Sequence, residues 1–274
     1  MKTQSIDFYY FSGTGNTLLA VETFSEVISK KGFSVRILRL EKSDPRQINQ
    51  DHIIGIAFPV AMSTYPFVWD FVHALPKVSS TRIFILATMA GGSIGLIGRM
   101  KNVLSGKGYV PLGAHQVKMP LNVFYVFSEE KSKAIREKGL DSVRIYAGRI
   151  AEGRAKWPVI PFLSDAAYFI YRIVIGTWKV TWHQKVFRHR LNSSLCSKCG
   201  FCAMICPTQN IHLEPFPVFG LDCQYCMRCL SYCPKGAIRS RFLFKNRAYK
   251  ATPCPYGPIQ EALNGGHSVN KPAG

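Results

Sequence analysis

The chain has 274 residues, of which 47% are hydrophobic, so it can bury a sizeable core in one or two domains. Its formal net charge is +19, and residues 171–250 carry 13 Lys or Arg against two Asp or Glu. A basic balance attracts anionic partners, but no DNA- or RNA-binding motif accompanies it, which argues against a nucleic-acid-binding protein. Nine cysteines without a secretory signal argue against a disulfide-stapled secreted domain, so we expect a cytoplasmic protein.

The first 150 residues alternate short apolar runs with stretches of helical periodicity. The apolar runs predict strands at residues 6–11, 35–40, 53–58, 83–88 and 110–117. The periodic stretches predict helices at residues 18–31, 67–74, 94–104 and 129–149. Strands that alternate with helices form a parallel sheet with both faces covered. The predicted fold class is α/β, with a doubly wound, five-stranded parallel sheet in the order 2-1-3-4-5.

A loop rich in glycine and hydroxyl side chains joins the first strand to the first helix. Its residues are Ser12, Gly13, Thr14, Gly15, Asn16 and Thr17. Backbone N–H groups that turn inward and the positive end of the helix dipole together suit a phosphate. The loop lacks the ending of a Walker motif, and Leu18 stands where a dinucleotide fingerprint has glycine. It predicts a phosphate site, and the alternative is an ordinary helix cap.

Residues 153–190 form a connector that contains three of the four tryptophans. Within it, residues 164–183 have helical periodicity and are apolar over most of the helix circumference. Charged residues interrupt this stretch well short of the ~20 apolar residues that a membrane span needs. We expect it to pack between domains or in a dimer, and peripheral membrane contact is the alternative.

Eight of the nine cysteines form two copies of the pattern C-x-x-C-x-x-C-x-x-x-C-P, which lie 27 residues apart. This run ligates [4Fe–4S] clusters, and its fourth cysteine binds the other cluster of a pair. The predicted ligand sets are Cys196, Cys199, Cys202 and Cys233 for one cluster, and Cys223, Cys226, Cys229 and Cys206 for the other. Zinc also binds paired CxxC motifs, but it does not favour two such runs in tandem. The ninth cysteine, Cys254, is more consistent with a free thiol than with a ligand.

The chain resembles flavodoxin–ferredoxin fusion proteins of anaerobic bacteria and archaea. In flavodoxins a Ser-x-Thr-Gly-x-Thr loop cradles the phosphate of FMN, and residues 12–17 match that pattern. The resemblance covers residues 4–150 through this loop and the strand order, and the cysteine runs are similar to those of bacterial two-cluster ferredoxins. It implies a flavodoxin-like domain at 1–152, the connector at 153–190, a small α+β ferredoxin domain at 191–250 and a Pro/Gly-rich tail at 251–274. We expect the tail to be loosely ordered.

The resemblance also implies contacts to the flavin ring, which in this fold lies over the loops that follow the third and fourth strands. The candidate ring contacts are Tyr65, Gly91, Gly92, Asn122 and Phe124. Gly91 and Gly92 would let the backbone approach the ring, and Tyr65 would stack on it or pack in the following helix. Asn122 would hydrogen-bond the ring edge, and Phe124 would cover it. Whether the ring is shielded or open to a substrate is left undecided.

These cofactors together imply electron transfer between two [4Fe–4S] clusters and FMN, linking a low-potential donor to an acceptor redox enzyme. The alternative is an FMN-dependent reductase that acts directly on a small-molecule acceptor, with the clusters as its wire. A binding module with structural clusters would leave the phosphate loop unexplained. No hydrolase or metalloprotease motif stands out, so no catalytic side chain is predicted. The expected partners are acidic redox proteins or a small-molecule acceptor.

Overall fold

The computed structural model describes residues 4–60, 63–93, 95–123, 125–158, 169, 189–240 and 248–257. Its N-terminal part is a parallel sheet of β1 (Ser5–Tyr10), β2 (Ser34–Arg39), β3 (Ile53–Pro59), β4 (Arg82–Met89) and β5 (Val110–Lys118). The strands lie in the order β2-β1-β3-β4-β5. All four neighbouring pairs are parallel. The predicted α/β fold class with a flavodoxin-like, doubly wound sheet is confirmed.

Three helices connect strands of the sheet and a fourth follows β5, and together they cover both faces. They are α1 (Asn16–Ser29), α2 (Pro66–Ala74), α3 (Leu96–Gly106) and α4 (Glu129–Ala151). Successive residues of a strand point to opposite faces. In β1, Phe8 therefore packs with α1 and α4, whereas Tyr9 packs with α2 and α3. Each helix and strand predicted for the first 150 residues is present, with its ends within two residues of the predicted ones.

Two short 3₁₀ helices that the periodicity did not predict follow β2, at Leu40–Lys42 and Pro45–Gln47. The first of these helices contains Glu41, whose side chain is only 5% exposed. A buried carboxylate in a short surface turn calls for a nearby cation, because an unpaired buried charge is costly. That cation comes from the C-terminal part of the chain, as described below.

The C-terminal part consists of very short elements. Two antiparallel pairs are formed by β6 (Arg190–Leu191) with β9 (Ile238–Arg239), and by β7 (Ile211–Glu214) with β8 (Phe216–Phe219). Two one-turn helices, α5 (Phe201–Met204) and α6 (Arg228–Ser231), each contain the third cysteine of one run. We call residues 189–240 the cysteine module.

The 27-residue repeat of the cysteine module extends to its backbone. Positive φ angles occur at Lys198, Gly200 and Gln209, with values of 58°, 72° and 51°. They recur 27 residues later at Tyr225, Met227 and Gly236, with values of 52°, 60° and 58°. Non-glycine residues rarely adopt this conformation, so its recurrence at matched positions indicates that both halves wrap their cysteines in the same way.

The connector helix predicted at 164–183 lies outside the described residues. Within the described residues, every helix is too short or too polar to cross a bilayer. The prediction of a loosely ordered tail is wrong for residues 251–257, because Thr252 and Tyr256 are buried against the N-terminal domain. Side-chain contacts, which the Pro/Gly-rich composition does not reveal, order this segment.

Candidate functional site

The loop predicted to bind phosphate lies between β1 and α1, at the carboxyl edge of the sheet. Gly15 precedes the helix with a φ of +96°, and its N–H donates to the Ser12 hydroxyl at 3.1 Å. Ser12 and Thr17 are each 1% exposed and Thr14 is 3% exposed. The hydroxyl groups of the loop are therefore enclosed within the protein.

Most backbone N–H groups in this loop have no protein acceptor in the described part of the chain. From Gly13 to Thr17, only the N–H of Gly15 donates to a protein acceptor within the described part of the chain. Buried N–H groups are almost always paired, and the first N–H groups of a helix lack intrahelical partners. Four unpaired donors in a buried loop at a helix N-terminus fit a phosphate group, whose oxygens would accept from them.

Residues at the end of β4 and just beyond β5 form hydrogen bonds with the side chains of the loop. The hydroxyl groups of Thr17 and Thr88 lie 2.7 Å apart, and Asn16 Nδ2 donates to the carbonyl oxygen of Pro120 at 3.4 Å. Asn122 Nδ2 donates to Thr14 Oγ1 at 2.6 Å. Asn122, which we predicted to contact the flavin ring edge, is thus placed on the phosphate loop.

The other predicted ring contacts lie on the loops after β3 and β4. Gly91 and Gly92 are exposed, and a Cβ on either would meet no atom within 4 Å. Lys118 donates to the Gly91 carbonyl oxygen. The Tyr65 ring stacks on Phe67 with its centroid 5.5 Å away. The backbone of Gly91 and Gly92 is therefore open to a planar ring. Phe124 lies outside the described residues.

Two cavities in the cysteine module are each lined by four cysteines. One contains Cys196, Cys199, Cys202 and Cys233. The other contains Cys206, Cys223, Cys226 and Cys229. Each cavity thus brings together three cysteines of one run and the fourth cysteine of the other, which is the crossed arrangement that suits a cluster pair. Among the described residues, no group of His, Cys, Asp or Glu is compact enough to hold a single metal ion.

The fourth cysteines of the two runs have matching surroundings. Cys206 Sγ accepts from the Asn210 N–H at 3.4 Å, and Cys233 Sγ accepts from the Ala237 N–H at 3.3 Å. Burial raises the pKa of Cys202 and of Cys226 to about 12. Binding of iron to these thiols would therefore require their protons to leave. The same donors would then stabilise the thiolates of a bound cluster.

The cavity that contains Cys226 abuts the phosphate loop. A Cβ built on Gly13 would lie 1.9 Å from the carbonyl oxygen of Cys226, so only glycine permits this contact. Tyr65 and Cys226 both pack against one apolar cluster, and burial raises the pKa of the Tyr65 phenol well above the ordinary range, with Cys226 and Cys223 raising it further. Residues that line the other cavity form no hydrogen bond or ion pair with residues 4–158 in the described part of the chain.

Arg228, which stands between Cys226 and Cys229, joins the two regions. It is 3% exposed, and its Nη2 and Nε donate to the Ser12 carbonyl oxygen at 3.0 and 3.3 Å. Its Nη1 donates to the carbonyl oxygen of Ile205 at 3.1 Å and lies 2.8 Å from Glu41 Oε1. The guanidinium therefore contacts both halves of the cysteine module and the N-terminal domain at once.

Two aromatic rings cover the Arg228 guanidinium. Its central carbon lies 4.7 Å from the ring centre of Phe11 and 4.3 Å from that of Tyr256. Such cation–π contacts are strongest where water is excluded. The Tyr256 hydroxyl donates to the Ser12 carbonyl oxygen at 2.5 Å. This carbonyl thus accepts three hydrogen bonds from C-terminal residues.

Residues 248–257, which we call the C-terminal segment, lie over the phosphate loop. The Ala251 N–H donates to the Thr14 carbonyl oxygen at 2.8 Å, and the Tyr249 hydroxyl donates to Asn16 Oδ1 at 2.7 Å. A Cβ on Gly15 would lie 2.5 Å from Thr252 Oγ1. The loop is therefore enclosed from outside by this segment and by the cysteine module.

Sequence reasoning missed Arg228, Glu41, Tyr249 and Tyr256. One signal was present, because the repeat places Arg228 opposite Phe201, a charged residue against an apolar one. A charge at a position that the repeat buries indicates a specific partner. Tyr249 and Tyr256 follow no periodic pattern and carried no comparable signal.

Comparisons with known proteins bear on each region separately. Residues 189–212 match the family model described as a 4Fe-4S binding domain. A comparison with curated proteins found no match. The chain therefore combines a flavodoxin-like sheet with a segment that matches a 4Fe-4S binding domain.

Solved structures similar to the chain include three flavodoxins. Streptococcus pneumoniae TIGR4 flavodoxin is 15% identical, with 54% of this chain and 98% of that chain covered and a TM-score of 0.41. Megasphaera elsdenii flavodoxin is 18% identical, with coverage of 51% and 98% and a TM-score of 0.37. Flavodoxin 2 of Bacillus cereus is 12% identical, with coverage of 55% and 99% and a TM-score of 0.43. The fold assignment rests on the strand order of the sheet itself.

Proposed function

We propose that the protein transfers electrons between two [4Fe–4S] clusters and FMN, linking a low-potential donor to an acceptor redox enzyme. The observation that carries this proposal is the shared wall between the Cys226 cavity and the phosphate loop, formed where Gly13 meets the Cys226 backbone. When bound, each cluster would supply one-electron chemistry and FMN one- or two-electron chemistry. One chain that holds both kinds of cofactor avoids a diffusional encounter between them.

The second cluster is supported by the backbone repeat as well as by the cysteine spacing. The family match covers one run, but the positive φ angles and the N–H donors to Cys206 and Cys233 recur at the 27-residue offset. We therefore assign Cys223, Cys226, Cys229 and Cys206 to the cluster beside the phosphate loop. Cys196, Cys199, Cys202 and Cys233 would hold the cluster farther from it.

The expected protein partner is an acidic redox protein. It would dock near the cavity that contains Cys196, Cys199, Cys202 and Cys233. Four exposed basic residues, Arg190, Lys198, Lys235 and Arg239, lie on the elements that surround this cavity. None of them forms an ion pair in the described part of the chain. Unpaired positive charge around a cofactor steers an anionic partner toward it. Free thiols persist under reducing conditions, which supports a cytoplasmic location.

A reductase that acts directly on a small molecule is the second candidate. The exposed backbone of Gly91 and Gly92, with open space above both, favours it. A flavin ring bound there would be reachable from solvent. If the reduced protein turned over quinones or nitroaromatics rapidly without a partner, the reductase function would be favoured over the carrier function.

Anaerobic purification of the full chain tests the proposal. We expect about eight irons, as two [4Fe–4S] clusters require, together with one FMN per chain and an absorbance that dithionite bleaches. Reduction by an acidic ferredoxin should slow as ionic strength rises, because salt screens the docking charges. A preparation that lacks the flavin spectrum and the iron after reconstitution would contradict the proposal.

A further inference from the structure

The carbonyl oxygen of Ser12 is oriented entirely from the C-terminal side. It accepts from Arg228 Nη2 at 3.0 Å, from Arg228 Nε at 3.3 Å and from the Tyr256 hydroxyl at 2.5 Å. Ser12, Arg228 and Tyr256 are all buried, so water does not compete with these donors. Three donors on one carbonyl hold its direction firmly.

That direction also sets the direction of the next N–H group. In a planar trans peptide the carbonyl and the N–H point to opposite sides, and the described chain contains no cis peptide. The Ser12 carbonyl points out toward Arg228, so the Gly13 N–H points away from the cysteine module and into the loop. The Thr14–Gly15 peptide, two positions along, follows the same rule, because Thr14 O accepts from Ala251 while the Gly15 N–H donates inward to Ser12 Oγ.

A glycine-containing peptide needs such anchoring. Glycine populates positive and negative φ almost equally, so a peptide at Gly13 can flip at little cost unless an outside group holds it. Arg228 is itself immobilised by Ile205, Glu41 and the rings of Phe11 and Tyr256. A rigid guanidinium can therefore hold the loop in one conformation.

We propose that Arg228 and Tyr256 are positioning residues for the phosphate of FMN. They aim the Gly13 N–H into the anion site from outside, so that an apparently self-contained loop depends on residues more than 200 positions away. This inference rests on the proposed function. Its specific consequence is that the two residues favour FMN over riboflavin, which lacks the phosphate.

Flavin titration of the full chain, with its clusters in place and its flavin removed, tests this inference. Tyr256→Phe removes one hydroxyl and keeps the ring over Arg228, so the Kd for FMN should rise about five-fold, as expected for one net hydrogen bond. Arg228→Lys keeps a positive charge beside Glu41 but loses the two-pronged contact with Ser12, and the Kd for FMN should rise about ten-fold or more. The Kd for riboflavin should stay within two-fold in both variants.

Tyr232→Phe is the matched control. The Tyr232 hydroxyl lies 3.2 Å from Thr252 Oγ1, and its ring packs against Tyr256, so the variant loses a hydrogen bond in the same cluster without touching the Ser12 carbonyl. Its Kd for FMN should match that of the wild type. If Tyr256→Phe and Arg228→Lys keep wild-type FMN affinity, or weaken riboflavin equally, the positioning role is wrong. A wild-type protein that binds neither flavin would overturn the proposed function and this inference with it.

Discussion

The N-terminal domain and the cysteine module are stabilised in different ways. The sheet carries an apolar cluster on each face, built from long strands and helices. The cysteine module has elements of two to four residues and a small cluster that includes several of the cysteines themselves. A segment of that size rarely stabilises itself by burial alone, and metal binding then contributes directly to folding. The first region should therefore keep its fold without cofactors, whereas the second should depend on them.

At the interface between these regions, part of the N-terminal domain depends on the cysteine module. Gly13 and Ser12 belong to the domain with the large core, yet their outer surface is formed by Cys226 and Arg228 of the cysteine module. The phosphate loop thus depends on the region that is itself cofactor-dependent. Loss of the neighbouring cluster should consequently weaken flavin binding, and flavin binding should stabilise that cluster by the same free energy.

The largest expected effect comes from removing one shared ligand. Cys206→Ser should lower the iron content from about eight to about four per chain, because Cys206 lines the cavity of the second run. The Kd for FMN should also rise, since Arg228 lies in the same cavity wall. Iron analysis, electron paramagnetic resonance and flavin titration measure these changes.

Two further variants make this experiment decisive. Cys254→Ser should retain all iron, because Cys254 lines neither cysteine cavity. Cys199→Ser should remove the other cluster and leave FMN affinity nearly unchanged. Identical residual spectra from Cys206→Ser and Cys199→Ser would mean that each run binds its own cluster without crossing.

A smaller effect is expected from breaking the buried ion pair between the two regions. Arg228→Met leaves Glu41 buried without its cation, which should cost about 3–5 kcal/mol in the free energy of unfolding. Arg228→Met combined with Glu41→Leu should recover most of this loss, because no charge is then left unpaired. Urea unfolding of the cofactor-loaded protein compares the two. A single variant as stable as the wild type would show that the pair contributes little.

The smallest expected effect comes from disturbing the close backbone contact between Gly13 and Cys226. Gly13→Ala forces a methyl group against the Cys226 carbonyl and should destabilise the interface by about 1–3 kcal/mol. Gly148→Ala is the matched control, because Gly148 lies in α4 and its Cβ would meet nothing within 4 Å. That control should raise stability by about 0.4–1 kcal/mol through the unfolded state. Thermal unfolding monitored separately by far-ultraviolet circular dichroism and cluster absorbance distinguishes separation of the regions from global unfolding.

Much of the site was accessible from local patterns. Residues 12–17 were predicted as a phosphate site because such a site requires glycines and hydroxyls in one short stretch, and the cysteines were predicted as cluster ligands because cluster ligation requires fixed spacing. Asn122 was predicted to contact the flavin ring edge, but its amide donates to Thr14, a contact that only the tertiary structure reveals. For Tyr65 the sequence allows either stacking on a flavin or packing in the following helix. In the structure Tyr65 and Cys226 pack against the same apolar cluster.

By itself the sequence determined the parallel sheet, the phosphate loop and the two cysteine runs. Each of these features is predicted from periodicities or spacings of fewer than about 30 residues. Over such short separations, local chain geometry determines which side chains share a face or a site. Only the tertiary structure decided that Arg228 and Tyr256 hold the Ser12 carbonyl, across separations of 216 and 244 residues. Contacts at such distances depend on how two folded surfaces meet, and the sequence marks them only by the charge of Arg228 at the repeat position where Phe201 is apolar.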